Sequence, residues 1–443
     1  MAEITVFHGG TIVALDEAST VRRADLLVED GVIRDLGGPF DTKGAARVDC
    51  TGSLLLPGFV QAHVHLSQAL FRGLAEEADL LDWLQQKIWP LEAAHTADSL
   101  RASARLGLAE MIRTGTTTVC DMGAMRDADA LAQVVEESGM RAVVSRLLMD
   151  QGEGVPQALI EPAARGLADA QALARRFGGA AQGRLRFALA PRFVLSCSSD
   201  LLRQVALLSA EHGWLVHTHL NESRREIAAT EKALGRGAVE HFDGLGLLSP
   251  RFVAAHAVWV TPEERRTLAD RKARITHCPS ANLKLASGVC DTLALLDAGV
   301  TVALGADGLP CNNRADSFSE MRLAALLSRL QHGDRALASE RIVRMATVEG
   351  AKALGLAEST GSIEAGKRAD LVVLDTTGTS GSVLEGTDVY DAIVYQMSAE
   401  RVRAVAVDGR LLCDRGRLLF ADEAEIVQRA AEERTALLRR AGL

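Results

Sequence analysis

Between residues 54 and 356, short apolar and β-branched runs alternate with longer amphipathic stretches, and there are eight such runs. β-rich segments flank this region on both sides. The pattern predicts an α/β fold: a distorted (β/α)8 TIM barrel with a small β-sandwich domain formed from both chain ends. An open doubly wound sheet also alternates strands and helices. The count of eight and the polar residues gathered at the run ends favour the barrel. The expected division is 1–56 for the N-terminal part of the sandwich, 57–357 for the barrel, and 358–443 for the rest of the sandwich with a terminal helix.

At the N-terminus, Ile4–Phe7, Thr11–Val13, Asp25–Glu29 and Val32–Asp35 read as short strands. Gly9-Gly10, Asp16-Glu17 and the hairpin signal Asp30-Gly31 separate them. The barrel runs are Leu54–Leu66, Thr116–Met122, Arg141–Met149, Leu185–Phe193, Trp214–Glu222, Phe252–Val260, Ala273–Asn282 and Thr301–Pro310. Helical stretches between them include Ser99–Thr114, Ala128–Ser138, Ser199–His212, Thr261–Lys272 and Asp316–Leu330. Thr261-Pro262-Glu263-Glu264 offers an N-cap, a proline at the first helical position and acids in the first turn. Strands return after residue 357 as Leu371–Leu374, Ala392–Tyr395, Val402–Val407 and Arg410–Cys413, with a turn at Asp408-Gly409. Asp422–Arg440 reads as a polar helix whose apolar stripe, Ile426, Val427, Ala430 and Leu437, docks on its parent domain.

The chain has 443 residues, 48% of them hydrophobic, so a sizeable core is expected rather than disorder. A net charge of -9 argues against a nucleic-acid surface built on bulk positive charge, and 4% aromatics against a base-stacking platform. The seven cysteines are odd in number, scattered, and form no Cys-x-x-Cys pair, which points to a reducing compartment. The opening MAEITVFHGG has neither the basic nor the apolar region of a signal peptide, and no apolar run is long enough to span a membrane. A cytoplasmic protein with no membrane or nucleic-acid partner is expected.

In a barrel, chemistry sits at the C-terminal ends of the strands. The first run ends in PGFVQAHVHL, and its period of two puts His63 and His65 on one face. Alone, such a pair is more often structural than half of a metal site. It is not alone. WLVHTHLNE ends in His219 and Glu222, FVAAHAVWV holds His256, RITHCPS holds His277, and TVALGADG ends in Asp307. Five of the eleven histidines thus fall at run ends. His63, His65, His219 and Asp307 form a candidate ligand set for one divalent metal, Zn²⁺ or Fe²⁺, with room for a water. Water bound to such an ion loses a proton near pH 7 and becomes a nucleophile. Glu222, just past its strand, is placed to carry that proton to a substrate atom. His256 either holds the attacking oxygen by hydrogen bond or is a further ligand, and Asp307 doubles as proton carrier. His217, one layer deeper than His219, reads as a hydrogen-bonded core histidine. His277, ahead of Cys278-Pro279, bonds either backbone or substrate. His8, His95, His212, His241 and His332 read as surface or helical residues.

These residues resemble the amidohydrolase superfamily, and within it the mononuclear aminohydrolases and chlorohydrolases of N-heterocycles. The carrying motifs are PGFVQAHVHL, TGTTTVCDMG, HTHLNE, AAHAVWV, THCPSANLKLASG, ALGADG and GSIEAGKRADLVVLD, so the likeness runs nearly end to end. It implies the barrel and sandwich read above. It also implies metal on His63, His65, His219 and Asp307, proton chemistry on Glu222 and His256, and an assembly of two or four chains. Binuclear relatives bridge their metals with a carboxylated lysine. Here the third and fourth runs end SRLLMD and APRF without one, so one metal is expected, Zn²⁺ ahead of Fe²⁺. The stretch RGLAEEADLLDWLQQKIWPLEA is similar to a loop of methylthioadenosine/S-adenosylhomocysteine deaminases and s-triazine hydrolases. That likeness implies a ribose contact for Glu92 and a substrate contact for Arg146. Those deaminases carry a histidine where Arg192 stands. Pro191-Arg192-Phe193 is closer to guanine deaminases, which use the Arg-Phe pair and a glutamine like Gln68 on the purine. GADGLPCNN instead resembles the nucleoside and triazine enzymes.

The expected activity is hydrolytic deamination of an amino-substituted aromatic N-heterocycle: a purine, a nucleoside, a guanine-like base or an aminotriazine. Activated water attacks the carbon bearing the amine, Glu222 moves a proton to the neighbouring ring nitrogen, and Asp307 helps expel ammonia. Triazine chloride or alkylamine displacement is the alternative. Amide or cyclic-imide hydrolysis lacks its bridging lysine. A non-catalytic scaffold would have lost ligands that this chain keeps.

Overall fold

The computed structural model describes residues 3–76, 79–377 and 386–443. Eight parallel strands form the central sheet: β1 Phe59–Val64, β2 Thr116–Asp121, β3 Arg141–Leu148, β4 Leu185–Pro191, β5 Leu215–Leu220, β6 Phe252–His256, β7 Arg274–His277 and β8 Thr301–Leu304. They pair in chain order, as right-handed βα connections dictate. The seam between β8 and β1 closes through a parallel bridge between Val64 and Asp307 and the Asp307 N–H donating to the His63 carbonyl at 3.0 Å. Gly305 permits this approach, because a Cβ there would stand 2.8 Å from the His63 carbonyl oxygen.

Two further sheets lie outside the barrel. One runs Val32–Gly37, Asp25–Glu29, Ile4–His8, Ala46–Asp49. The other runs Arg417–Leu418, Arg410–Asp414, Val402–Val407, Leu371–Asp375, Ser53–Pro57, Thr11–Val13, Val21–Arg23, and so joins both chain ends. Leu55, Leu371 and Val373 pack with Phe7, Leu26 and Val28 of the four-stranded sheet. Leu54, Leu56, Val372 and Leu374 point the other way, into the barrel core. A strand covered on both faces explains the unbroken apolar runs there.

The expected first run, Leu54–Leu66, is therefore two strands in two sheets. The break falls at Gly58, where a Cβ would lie 2.1 Å from the Thr117 side chain. Runs seven and eight are shorter strands than expected, each followed by a turn of helix with proline at its start, Pro279–Lys284 and Leu309–Asn312. The expected strand Ala392–Tyr395 is helical instead. Asp388 accepts hydrogen bonds from the Tyr390 and Asp391 amides at 2.8 and 3.2 Å and starts the turn that Ala392–Gln396 continues. Val21–Arg23 and Ala46–Asp49 were not anticipated, because neither carries an apolar run. The terminal helix Glu423–Ala441 packs on barrel helix Ala97–Arg113 with Ile426, Ala430 and Leu437 buried, while Val427 is exposed.

An ion cluster joins barrel to sandwich. Arg141, at the start of β3, donates from Nε to Asp370 Oδ2 at 2.6 Å, and from Nη2 to Asp370 Oδ1 at 3.0 Å and Asp408 Oδ1 at 2.6 Å. Arg141 and Asp370 are both buried. Removing one partner leaves an uncompensated interior charge, so Arg141→Met should lower unfolding free energy by about 3–5 kcal/mol in a denaturant titration. Asp408→Asn, at the edge of the cluster, should cost less by the same measurement.

Candidate metal centre and active site

The strand ends meet around one point. His63 and His65 flank the end of β1, His219 lies in β5, and Asp307 follows β8. One donor atom from each of the four falls within 4.8 Å of the others. His63 Nε2 lies 3.2 Å and His65 Nε2 3.4 Å from Asp307 Oδ1, and His65 Nε2 lies 3.3 Å from His219 Nε2.

Neighbouring residues fix the ring orientations. His219 Nδ1 donates to the Arg192 carbonyl at 2.6 Å, which leaves Nε2 for the centre. His63 Nδ1 pairs with His217 Nε2 at 2.8 Å, and His217 Nδ1 lies 3.3 Å from Cys120 Sγ. His217 is thus the deeper hydrogen-bonded histidine the sequence suggests. His63 Nε2 and His256 Nε2 are buried with no hydrogen-bond partner among the described residues.

These residues fit a divalent ion. Metal–ligand bonds of about 2.0–2.1 Å in a tetrahedron place neighbouring ligand atoms about 3.3 Å apart. Three of the observed separations are 3.2, 3.3 and 3.4 Å. Burial holds the imidazoles of His65, His217 and His219 well below their ordinary proton affinity, and lowers that of His63 against the pull of Asp307. Burial works to raise Asp307, but the close approach of His63, with His256 and His65 behind it, keeps it well below the usual carboxylate range. Neutral nitrogen donors beside an ionised carboxylate are what a metal ligand set requires.

Glu222 and His256 stand beside this cluster. His256 Nδ1 bonds Asn282 Oδ1 at 2.9 Å, and its Nε2 lies 3.4 Å from Glu222 Oε2 and 3.9 Å from Asp307 Oδ2. Ser287 Oγ donates to Glu222 Oε1 at 3.3 Å. Burial first, then the Asp307 charge, raise the Glu222 carboxyl well above its ordinary value. The backbone is left-handed at Asn221, His256 and Asp307, with φ of 46°, 75° and 62°. Such strain at non-glycine residues gathers at functional sites.

A narrow cleft opens over the cluster, lined on its apolar side by Leu80, Trp83, Leu84, Phe193 and Leu285. Gln68, Arg192 and Glu226 are among its polar lining residues. Glu92 backs this wall through Gln68 Nε2 at 2.8 Å and Arg192 Nη1 and Nη2 at 2.6 and 3.3 Å, and itself borders a second hollow with Ser67 and Met125. Arg146 is not brought here. Its guanidinium is taken up by Glu161 at 2.5 and 2.9 Å and by Asp169 at 3.3 Å, and it borders a different hollow. His277 ends β7 fully buried, its Nδ1 without a partner, and does not line the cleft. His241, expected at a surface or on a helix, is helical and buried, bonded to Ser199 at 3.3 Å.

Sequence reasoning did not single out Trp83, Ser287, Asn282 or Glu226. The Ser223-x-x-Glu226 capping box was legible and would have found the last of these. No helix among the described residues is long and apolar enough to cross a membrane.

A family model described as the amidohydrolase family matches residues 54–412. The 5'-deoxyadenosine deaminase of Methanothermobacter thermautotrophicus is 38% identical over 424 residues, covering 95% of this chain and 96% of its own. A 5-methylthioadenosine/S-adenosylhomocysteine deaminase of Haloarcula marismortui is 36% identical, with 100% of both chains covered. An adenosine deaminase structure from Xanthomonas campestris, with bound zinc, superposes with a TM-score of 0.91 at 32% identity over 98% of both chains.

Metal analysis should find about one divalent ion per chain. His219→Ala should abolish its retention. His217→Ala, which removes only the partner of His63, should weaken affinity about 10–100-fold in a chelator competition.

Proposed function

The chain belongs to the amidohydrolase family, and on that premise we propose that it removes the exocyclic amine of an adenosine-type nucleoside by hydrolysis, releasing ammonia. More broadly, it is a metal-dependent hydrolase of carbon–nitrogen bonds in cyclic amidines, acting on amino-substituted aromatic N-heterocycles. The carrying observation is the buried Glu222 carboxyl, with its raised proton affinity, beside His256 and the four-residue cluster under an apolar cleft.

His63, His65, His219 and Asp307 are the proposed ligands, and Zn²⁺ is the proposed ion, since three nitrogens and one oxygen suit it and the Xanthomonas relative carries zinc. When bound, the ion lowers the pKa of a water and supplies the nucleophile. Glu222 takes the proton of the attacking water and delivers it to the ring nitrogen beside the carbon that carries the amine. His256 Nε2 faces the same space and steadies the oxygen as it adds. Asp307 carries the second proton to the amine, the carbon–nitrogen bond breaks, ammonia leaves and a ring carbonyl remains. Trp83, Leu80, Phe193 and Leu285 shield the ring from water.

Glu92 supports a nucleoside over a bare guanine-like base. A carboxylate has about four acceptor sites. Gln68 and Arg192 fill three here, leaving room for one ribose hydroxyl. Arg192 lines the cleft and is anchored by Glu92 through one N–H of each terminal nitrogen, which leaves further N–H donors for a substrate edge. The seven cysteines are all free and buried, which supports a reducing, cytoplasmic setting.

Glu222→Gln should keep its metal and lose at least about 100-fold in kcat, as expected for loss of a general acid–base. Full activity in that variant would remove Glu222 from the mechanism. An ammonia-release screen should respond to adenosine, 5'-deoxyadenosine or methylthioadenosine. Chloride release from chlorotriazines without ammonia from any nucleoside would transfer the assignment to ring dechlorination.

A further inference from the structure

Glu226 opens the helix Arg224–Leu234 that follows β5, and it lies four residues past Glu222. Its helix start is a reciprocal capping box: the Glu226 amide donates to Ser223 Oγ at 3.1 Å, and Glu226 Oε2 accepts from the Ser223 amide at 3.3 Å. An ordinary capping box ends there. Here the shorter bond reaches one residue further back, with the Glu222 amide donating to the same Oε2 at 2.7 Å. The Glu226 side chain is buried, lines the cleft beside Glu222, and leaves Oε1 without a partner among the described residues. Burial, and next the Glu222 charge, push it up to about 7.

Helix capping does not require this arrangement. Thr261 and Glu264 build the same box on the outside of the barrel, where Glu264 Oε2 accepts the Thr261 amide at 2.9 Å away from the cleft. Keeping a half-unsatisfied carboxyl in the interior is costly unless it serves something else. What it can serve is legible in the local chain. Asn221 leaves β5 in a left-handed conformation, so the direction of Glu222 depends on how the next amide is held. Among the described residues the polar contacts of the Glu222 carboxyl are long, 3.3 Å to Ser287 and 3.4 Å to His256.

We infer that Glu226 is a positioning residue for Glu222: its Oε2 clamps the Glu222 amide and thereby fixes where the Glu222 carboxyl stands beside the His63, His65, His219 and Asp307 cluster. The inference rests on Glu222 being the proton carrier proposed above.

The test compares metal-loaded variants in steady-state kinetics with the best substrate of the ammonia screen. Glu226→Leu removes the acceptor at similar volume and should lower kcat about 100-fold, the scale of a displaced catalytic group, with KM and metal content unchanged. Glu226→Gln keeps an oxygen for the Glu222 amide and should retain most of kcat. Ser223→Ala breaks the other half of the capping box, leaves the Glu222 amide held, and should keep kcat. If Glu226→Leu does not fold, Glu226→Asp replaces it. It keeps the charge but falls short of the amide, so its kcat must drop while that of the Gln variant does not. Wild-type kcat in the Leu variant, a loss confined to KM, or an equal loss in Ser223→Ala overturns the inference. Glu222→Gln separates the two claims: if it is inactive while Glu226→Leu is fully active, only the positioning role fails. If Glu222→Gln is fully active, the proton-carrier reading fails first.

Discussion

The Asp307 carboxylate is sealed at the seam where the barrel closes, and the centre is arranged around it. The same residue that donates its amide to the His63 carbonyl points its side chain at the rings of His63, His65 and His256. An ionised carboxylate inside a barrel demands compensation. Burial disfavours the charged form of His63, His65 and His219, which leaves their lone pairs to offer. A cation at the convergence point satisfies the carboxylate and the lone pairs together. The candidate metal group and the closure of the β8–β1 seam therefore share one residue, Asp307.

Backbone strain follows the same geometry. Asn221, His256, Ala257 and Asp307 are left-handed, and they occupy the turns at the ends of β5, β6 and β8. A regular strand would carry alternate side chains away from the axis. Turning out of the strand early brings His256 and Asp307 over the centre and lifts Glu222 above it. The cost is held by the surrounding structure, where β6 is fully buried and His256 is anchored through Asn282.

These facts explain what the sequence could disclose. Period two and the strand ends single out the four residues that the fold brings together, because strand register is local and a histidine pair on one face is visible in a string of residues. Gly58 hid a change of sheet inside an apolar run, since both halves are buried on both faces and composition does not distinguish them. Ala392–Tyr395 has strand-like residues, but the cap at Asp388 decides its conformation. Resemblance alone points Arg146 at the substrate. Its acidic partner Glu161 comes from a segment fifteen residues on, a tertiary choice that no motif records.

Arg192 shows why the substrate side is less legible than the metal side. Its backbone carbonyl orients His219 from the end of β4, and this task needs no particular side chain. Its guanidinium, by contrast, clamps Glu92, which comes from a loop helix 100 residues earlier in the chain. One residue thus ties the candidate ligand His219 to the wall of the cleft. The first tie is dictated by the strand and survives any substitution that keeps the backbone. The second depends on how the stretch from Leu80 to Ala93 folds over the barrel mouth. Specificity in this fold is therefore written in loop packing, while the chemistry is written in strand ends, and only the latter repeats with a period that a sequence can display.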